Sequence, residues 1–178
     1  MAALRKASSY SKRAARPYTR KSSKKKRSYI KAVPPNKIVK YNMGDQKSFD
    51  NGKHEYVVSL VSDQRVQMRD NAIESCRTLV NKLLDKRIQG EYYFVIKVYP
   101  HHILRDNKTA AGAGADRLSS GMKHSFGITS GRAALINKGK EIFMISCTNE
   151  RAARIAREVL AKVRPKVPCK AKIYFKKV

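Results

Sequence analysis

Acidic side chains are scarce in this chain: 13 Asp and Glu stand against 40 Lys and Arg, and the first 44 residues contain none. The few carboxylates include no close pair suited to general acid–base work. Long apolar runs are missing as well. None approaches the roughly 20 residues of a spanning helix, so the only membrane reading left is attraction to an anionic surface. The opening "MAALRKASSYSKRAARPYTR" lacks the apolar stretch of a secretory signal, although its Arg and Ser content also fits a transit peptide. Cysteine is sparse too. Cys76, Cys147 and Cys169 are too few and too scattered for a disulfide framework or a zinc site with paired ligands. They read as reduced and mostly buried, which suits a cytosolic compartment.

What is present is positive charge, formally +27 over 178 residues. A field of that sign attracts polyanions, of which nucleic acid is the usual one. The charge is uneven. Residues 1–44 hold fourteen cations and no acid, while the rest hold twenty-six cations and all thirteen acids, so the two parts carry +14 and +13. The first part shows no sustained period and repels itself, so it is expected to be an extended basic arm. With its linker the arm is drawn over residues 1–52. A globular domain, which the 42% hydrophobic content can supply with a core, is drawn over 53–178.

Within the domain, "HEYVVSLVS" reads as a strand. "RDNAIESCRTLVNKLLDKRI" follows as a helix with Ile73, Cys76, Val80, Leu83 and Leu84 on one stripe. Asp70 or Asn71 is the expected N-cap, with Glu74 placed for a capping box. Gly90 stops the helix before a second strand, "EYYFVIKVY". The plan recurs as the strand "EIFMISC", the helix "NERAARIAREVLAKV" and the strand "CKAKIYF", with "GRAALI" a further strand turned into the next by "NKGK". The expected class is α+β: a two-layer α/β sandwich with a mixed sheet and two helices, plus the arm.

The stretch "PHHILRDNKTAAGAGADRLSSG" between regular segments is expected as a central loop, residues 100–121. It resembles a cofactor loop only superficially. A dinucleotide fingerprint needs a third glycine where Arg117 stands, and no Gly-Lys-Ser/Thr follows for a phosphate-binding loop. His101 and His102, adjacent on a strand, point to opposite faces and cannot easily share a metal. One ring is expected to be packed, the other to lie near phosphate or sugar. Ser119, Ser120 and Ser125 around His124 do not make a triad by proximity in sequence. No catalytic residue, metal or cofactor is assigned. Small residues such as Gly112 and Gly114 let a backbone approach a partner closely, while Arg105, Lys108 and Arg117 meet its charges. Asp116, beside Arg117, reads as half of a surface charge pair.

The arm interleaves cations with aromatics: Arg13, Arg16, Tyr18, Arg20, Lys21, Lys24, Lys25, Lys26, Arg27 and Tyr29, with Lys37 beyond them. Such a segment neutralises phosphates while its tyrosines stack on exposed bases. A DNA-packaging protein shares this charge pattern, and an enzyme with a phosphate-binding loop is disfavoured by the missing motif.

"YPHHILRDNKTAAGAGADRLSSGMKHSFG" closely resembles the signature region of the L-ten-e / L-sixteen family of large-subunit ribosomal proteins, in its archaeal-like form. "RPYTR", "PNKIVKYNMG", "QMRDNAIESCR", "GRAALINKGKEIFMIS" and "VRPKVPCKAKI" extend the similarity from about Arg16 to Ile173. The resemblance implies an α/β hammerhead fold and a cytoplasmic, ribosome-bound protein that is not an enzyme. Its implied partners are large-subunit rRNA, tRNA in the A-site corridor and neighbouring ribosomal proteins, without a membrane and without homo-oligomer formation. It implies that Asn107, Lys108, Gly112, Gly114, Asp116 and Arg117, with Arg105, form a loop near the peptidyl-transferase centre. Lys123, His124 and Arg132 would face rRNA backbone. Where the family commonly has Lys-Pro this chain has Ile128-Thr129, so one cation and a rigid turn are missing.

Overall fold

The computed structural model describes Ser11 and residues 16–22, 24, 26, 30, 32–106 and 127–178. Its elements run in the order β1 (Asn42–Gly44), α1 (Gln46–Asp50), β2 (Tyr56–Ser62), β3 (Val66–Arg69), α2 (Asp70–Ile88), β4 (Tyr92–Ile96), β5 (His102–Asp106), β6 (Ile128–Ile136), β7 (Glu141–Cys147), α3 (Glu150–Val163) and β8 (Ala171–Lys177). The class is α+β, with three helices among the described residues. A five-stranded sheet has the order β1-β4-β7-β2-β8, and a three-stranded sheet the order β3-β6-β5.

The mixed sheet expected from the two strand–helix–strand passages is corrected here, because the described ladders are all antiparallel. Strands β2 and β4 do run parallel across α2, but β7 lies between them, antiparallel to both. In the same way β2 separates β7 from β8 across α3. Each passage is a split β–α–β unit, and each fills the other's gap. The expected turn from β6 into β7 exists as sequence, yet its two strands belong to different sheets. Residues 102–106, the opening of the stretch expected as a loop, form β5, the edge of the smaller sheet.

One face of the large sheet carries Val58, Leu60, Phe94, Phe143 and Ile145, all fully buried. Register places Val58 opposite Ile145 and Leu60 opposite Phe143, so these side chains stack in rows. Each fully buried aliphatic or aromatic side chain adds about 1.5–3 kcal/mol. Helix α2 meets them with Ile73, Cys76, Val80, Leu84 and Ile88. Leu83, expected on the helical stripe, and Ile155 of α3 sit at the margin of the core, partly buried. Helix α3 contributes Ala152, Ala153 and Ala156, small residues that let it lie close, followed by Val159, Leu160 and Val163. Burial pushes the thiols of Cys76 and Cys147 up to about 11 and about 12, so both pack as neutral groups.

The expected cap of α2 is also corrected. Arg69 occupies the N-cap position without a side-chain cap hydrogen bond, and Asp70 is the first helical residue. Asp70 and Glu74 are used elsewhere, as described below. At the end of β1, Gly44 has φ +91°, and a Cβ there would lie 2.3 Å from the Tyr92 carbonyl oxygen. Only glycine fits both that backbone region and that approach.

Candidate nucleic-acid interface

Main-chain hydrogen bonds tie described parts of the basic N-terminal segment to the domain, and Ile38 buries its side chain in the core. Tyr18 pairs with the open edge of β5: its N–H donates to His102 Nδ1 at 3.0 Å, and its carbonyl accepts from the Ile103 N–H at 3.0 Å. Further along, the Pro34 carbonyl accepts from Arg132 Nε at 2.7 Å. The Lys37 N–H donates to Asp70 Oδ2 and the Val39 N–H to Glu74 Oε2, each at 3.2 Å. Two carboxylates at the start of α2 therefore receive backbone amides of the segment.

The electrostatics follow from this packing. His102 is only 7% exposed. Burial first, and then the Arg105 charge, hold its pKa below the ordinary 6.5. A neutral ring leaves Nδ1 able to accept the Tyr18 amide, which assigns the ring proton to Nε2. For Glu74, the Arg77 side-chain hydrogen bond lowers the pKa most, opposed by desolvation and helped by the Val39 amide. Arg77 grips Glu74 through Nε at 2.8 Å and Nη2 at 2.6 Å.

Above these contacts lies a cluster of rings. Tyr41 stacks on Tyr99 with centroids 5.4 Å apart, and Tyr99 meets the exposed His101 at 4.5 Å. Lys21 Nζ stands 6.0 Å over Tyr99, and Arg132 Nη1 reaches the Tyr99 hydroxyl at 3.5 Å. Arg105 lies 3.9 Å over the Tyr18 ring, within cation–π range. The structure thus joins four residues singled out from sequence, Tyr18 with Arg105, and Lys21 with Arg132 through Tyr99. Arg16, Arg20, Lys24, Lys26 and Lys37 are exposed. Arg13, Lys25, Arg27, Tyr29, Asn107, Lys108, Gly112, Gly114, Asp116, Arg117, Lys123 and His124 lie outside the described residues.

Sequence reasoning passed over Tyr41 and Tyr99, and gave Asp70 and Glu74 only a capping role. The signal for Tyr99 was weak, an aromatic ending an apolar strand. Among the described residues no group of three His, Cys, Asp or Glu side chains is placed to hold a metal, and no helix is long and apolar enough to cross a membrane. Chemically, the surface offers cations, stacked rings and exposed hydrogen-bond donors, which recognise phosphates and bases.

Residues 17–174 match the family described as Ribosomal protein L16p/L10e. The chain belongs to that family. It is similar to a protein of Staphylothermus marinus named "Large ribosomal subunit protein uL16", 40% identical over 97% of this chain and 94% of the relative. Proteins of the same name from Methanococcus aeolicus and Natronomonas pharaonis are 43% and 39% identical, covering 90% and 83% of this chain and 87% and 85% of their own. The L16p/L10e match begins at Pro17, one residue before the Tyr18 contact, and ends within β8, so it includes the pinned basic segment and all but the end of the last strand.

Proposed function

We propose that this chain is a structural constituent of the large ribosomal subunit that binds rRNA and helps position aminoacyl-tRNA near the peptidyl-transferase centre. It acts in the cytoplasm, on the ribosome, with rRNA and neighbouring ribosomal proteins as partners and without forming a homo-oligomer. Membership of the L16p/L10e family carries the first part, since the matched relatives are named for the large subunit. The geometry that supports it is a division of labour. The basic segment is anchored by backbone hydrogen bonds at Tyr18, Pro34, Lys37 and Val39, while Arg16, Arg20, Lys24, Lys26 and Lys37 are exposed. Those cations, with Arg13, Lys21, Lys25 and Arg27, are the proposed phosphate contacts, and Tyr18 and Tyr29 the stacking groups. Arg132, Lys123 and His124 would face rRNA from the domain.

The finer reading is of an α/β hammerhead domain at 53–178 preceded by an rRNA-binding arm and linker at 1–52. The loop after β5 would bring Arg105, Asn107, Lys108, Gly112, Gly114, Asp116 and Arg117 to the tRNA. The chemistry of peptide transfer is left to RNA.

Sedimentation tests the reading. The chain should travel with the large subunit through a high-salt wash, and release as a free monomer at low salt would overturn integration. Removing residues 1–40 should weaken rRNA binding and flatten its dependence on salt, because each lost phosphate contact removes about 0.9 from the logarithmic slope of a duplex contact. An unchanged slope would take the segment out of the interface. Neutralising Arg105 and Arg117 together should impair tRNA accommodation more than subunit binding.

A further inference from the structure

Strand β8 is the edge of the large sheet opposite β1, and its outer side pairs with no described strand. Along that edge Tyr174 and Phe175 are 54% and 51% exposed. Phe175 still has a partner in Tyr56, with centroids 5.8 Å apart. Tyr174 has instead a hollow on either side. One, of about 460 Å3, lies against α3 and is lined by Arg157, Ala161, Arg164 and Lys172. The other, of about 120 Å3, lies against the turn before β7 and is lined by Ser62, Asp63, Lys138 and Lys172.

Four cations line the two hollows, with Asp63 as the one acid. Lys172 reaches Asp63 at 3.5 Å, but its side chain is 63% exposed, so the pair is screened and weak. Among the described residues the side chains of Arg157 and Arg164 have no hydrogen-bond or ion-pair partner, unlike that of Arg154, which Glu150 holds at 2.7 Å. Lysines on an edge strand oppose the addition of another strand. That accounts for Lys172, Lys176 and Lys177, yet it does not require an exposed ring between two hollows, or Arg157 on the facing helix with Arg164 just past its end. A phosphate chain satisfies all three: its charges meet the cations, and one base lies on the ring.

We propose that the open edge of β8, with the hollow against α3 on one side and the hollow against the turn before β7 on the other, is a second RNA contact, in which Arg157, Arg164, Lys172 and Lys138 meet phosphates and a base stacks on Tyr174. It rests on the rRNA-binding function proposed above. It adds a face carried by the opposite sheet edge from β1, built from residues outside the basic segment and the loop after β5.

Binding of the full chain to protein-free large-subunit rRNA is the test, with salt titrated. Tyr174→Ala should weaken binding about tenfold, while Tyr174→Phe, which keeps the ring, should stay within about twofold of the parent. Arg157→Ala combined with Arg164→Ala should reduce the logarithmic salt slope by about 2. Both positions are exposed, so melting temperatures should hold to within about 2 °C and a folding defect is separable. Unchanged affinity and slope in these variants, with binding still lost on removing residues 1–40, would overturn the second contact and leave the rRNA function standing. A parent chain that does not bind rRNA at all would overturn both. In intact subunits, photocrosslinking from position 174 should reach RNA. A crosslink to protein instead would assign the edge to a neighbouring polypeptide and end the proposal.

Discussion

Helix α2 turns the carboxylates of its first turns toward the protein's own chain, where Asp70 and Glu74 accept the amides of Lys37 and Val39. Helix α3, packed beside it on the same sheet, turns Arg151, Arg154 and Arg157 to solvent. Inward, the two behave alike, each offering an apolar stripe to the same core. Outward they differ because acids are few. In a chain with 13 acids against 40 cations, a carboxylate placed under a backbone segment orders that segment without neutralising its side chains. The segment stays positive and becomes positioned. Arg151 and Arg157 on α3 have no such internal use, and they remain available to an external anion.

The inward likeness can be tested hardest. Leu84→Ala in α2 and Leu160→Ala in α3 remove fully buried side chains and should each cost about 2–5 kcal/mol in denaturant unfolding. A cost below about 1 kcal/mol for one of them would show that the two helices do not share the core equally. The outward difference predicts a smaller but selective effect. Asp70→Ala leaves the Lys37 amide without its acceptor and should cost about 1–3 kcal/mol, with faster hydrogen exchange at that amide. Arg157→Ala on α3 should stay within about 0.5 kcal/mol. Equal costs at the two positions would erase the distinction.

Acid gives the finest test, because it separates the two ends of the pinned segment. His102 has its pKa held below 6.5, so the unfolded chain takes up its proton first as pH falls. The stability that the neutral ring contributes is complete above 6.5 and declines below it, down through the lower folded value. Glu74 is held below 4.5, so its contribution is complete above 4.5 and is lost as pH falls through its own folded value. Amide exchange, corrected for intrinsic pH dependence, should therefore show Tyr18 losing protection at higher pH than Val39. Simultaneous release would mean that the segment is held as one unit rather than at separable points.

Much of this could be read before any coordinates. The periodicity of Ile73, Cys76, Val80 and Leu84 depends only on the 3.6-residue turn, and each of these residues is buried as the pattern implied. The strand segments 56–62, 92–96, 141–147 and 171–177 were likewise visible from β-branched and aromatic content. Their neighbours were not. Nothing in β2 or β4 states that β7 will lie between them, since pairing joins residues such as Tyr56 and Cys147 across ninety positions of chain. Asp70 and Glu74 had the spacing of a cap, and a local rule assigned them locally. The competing partners were amides some 35 residues earlier, which no window along the helix contains.

The histidine pair shows where the boundary falls. Alternation along a strand was enough to send His101 and His102 to opposite faces, and one is exposed and the other buried. That the buried ring is neutral and accepts the Tyr18 amide depends on desolvation and on Arg105 beside it, quantities that exist only once distant segments meet. Charge, period and family resemblance are properties of residue order, and they were already complete in the chain. Strand order, the acceptors of the N-terminal amides and the hollows beside Tyr174 come from burial and long-range pairing, which residue order constrains only through the folded whole.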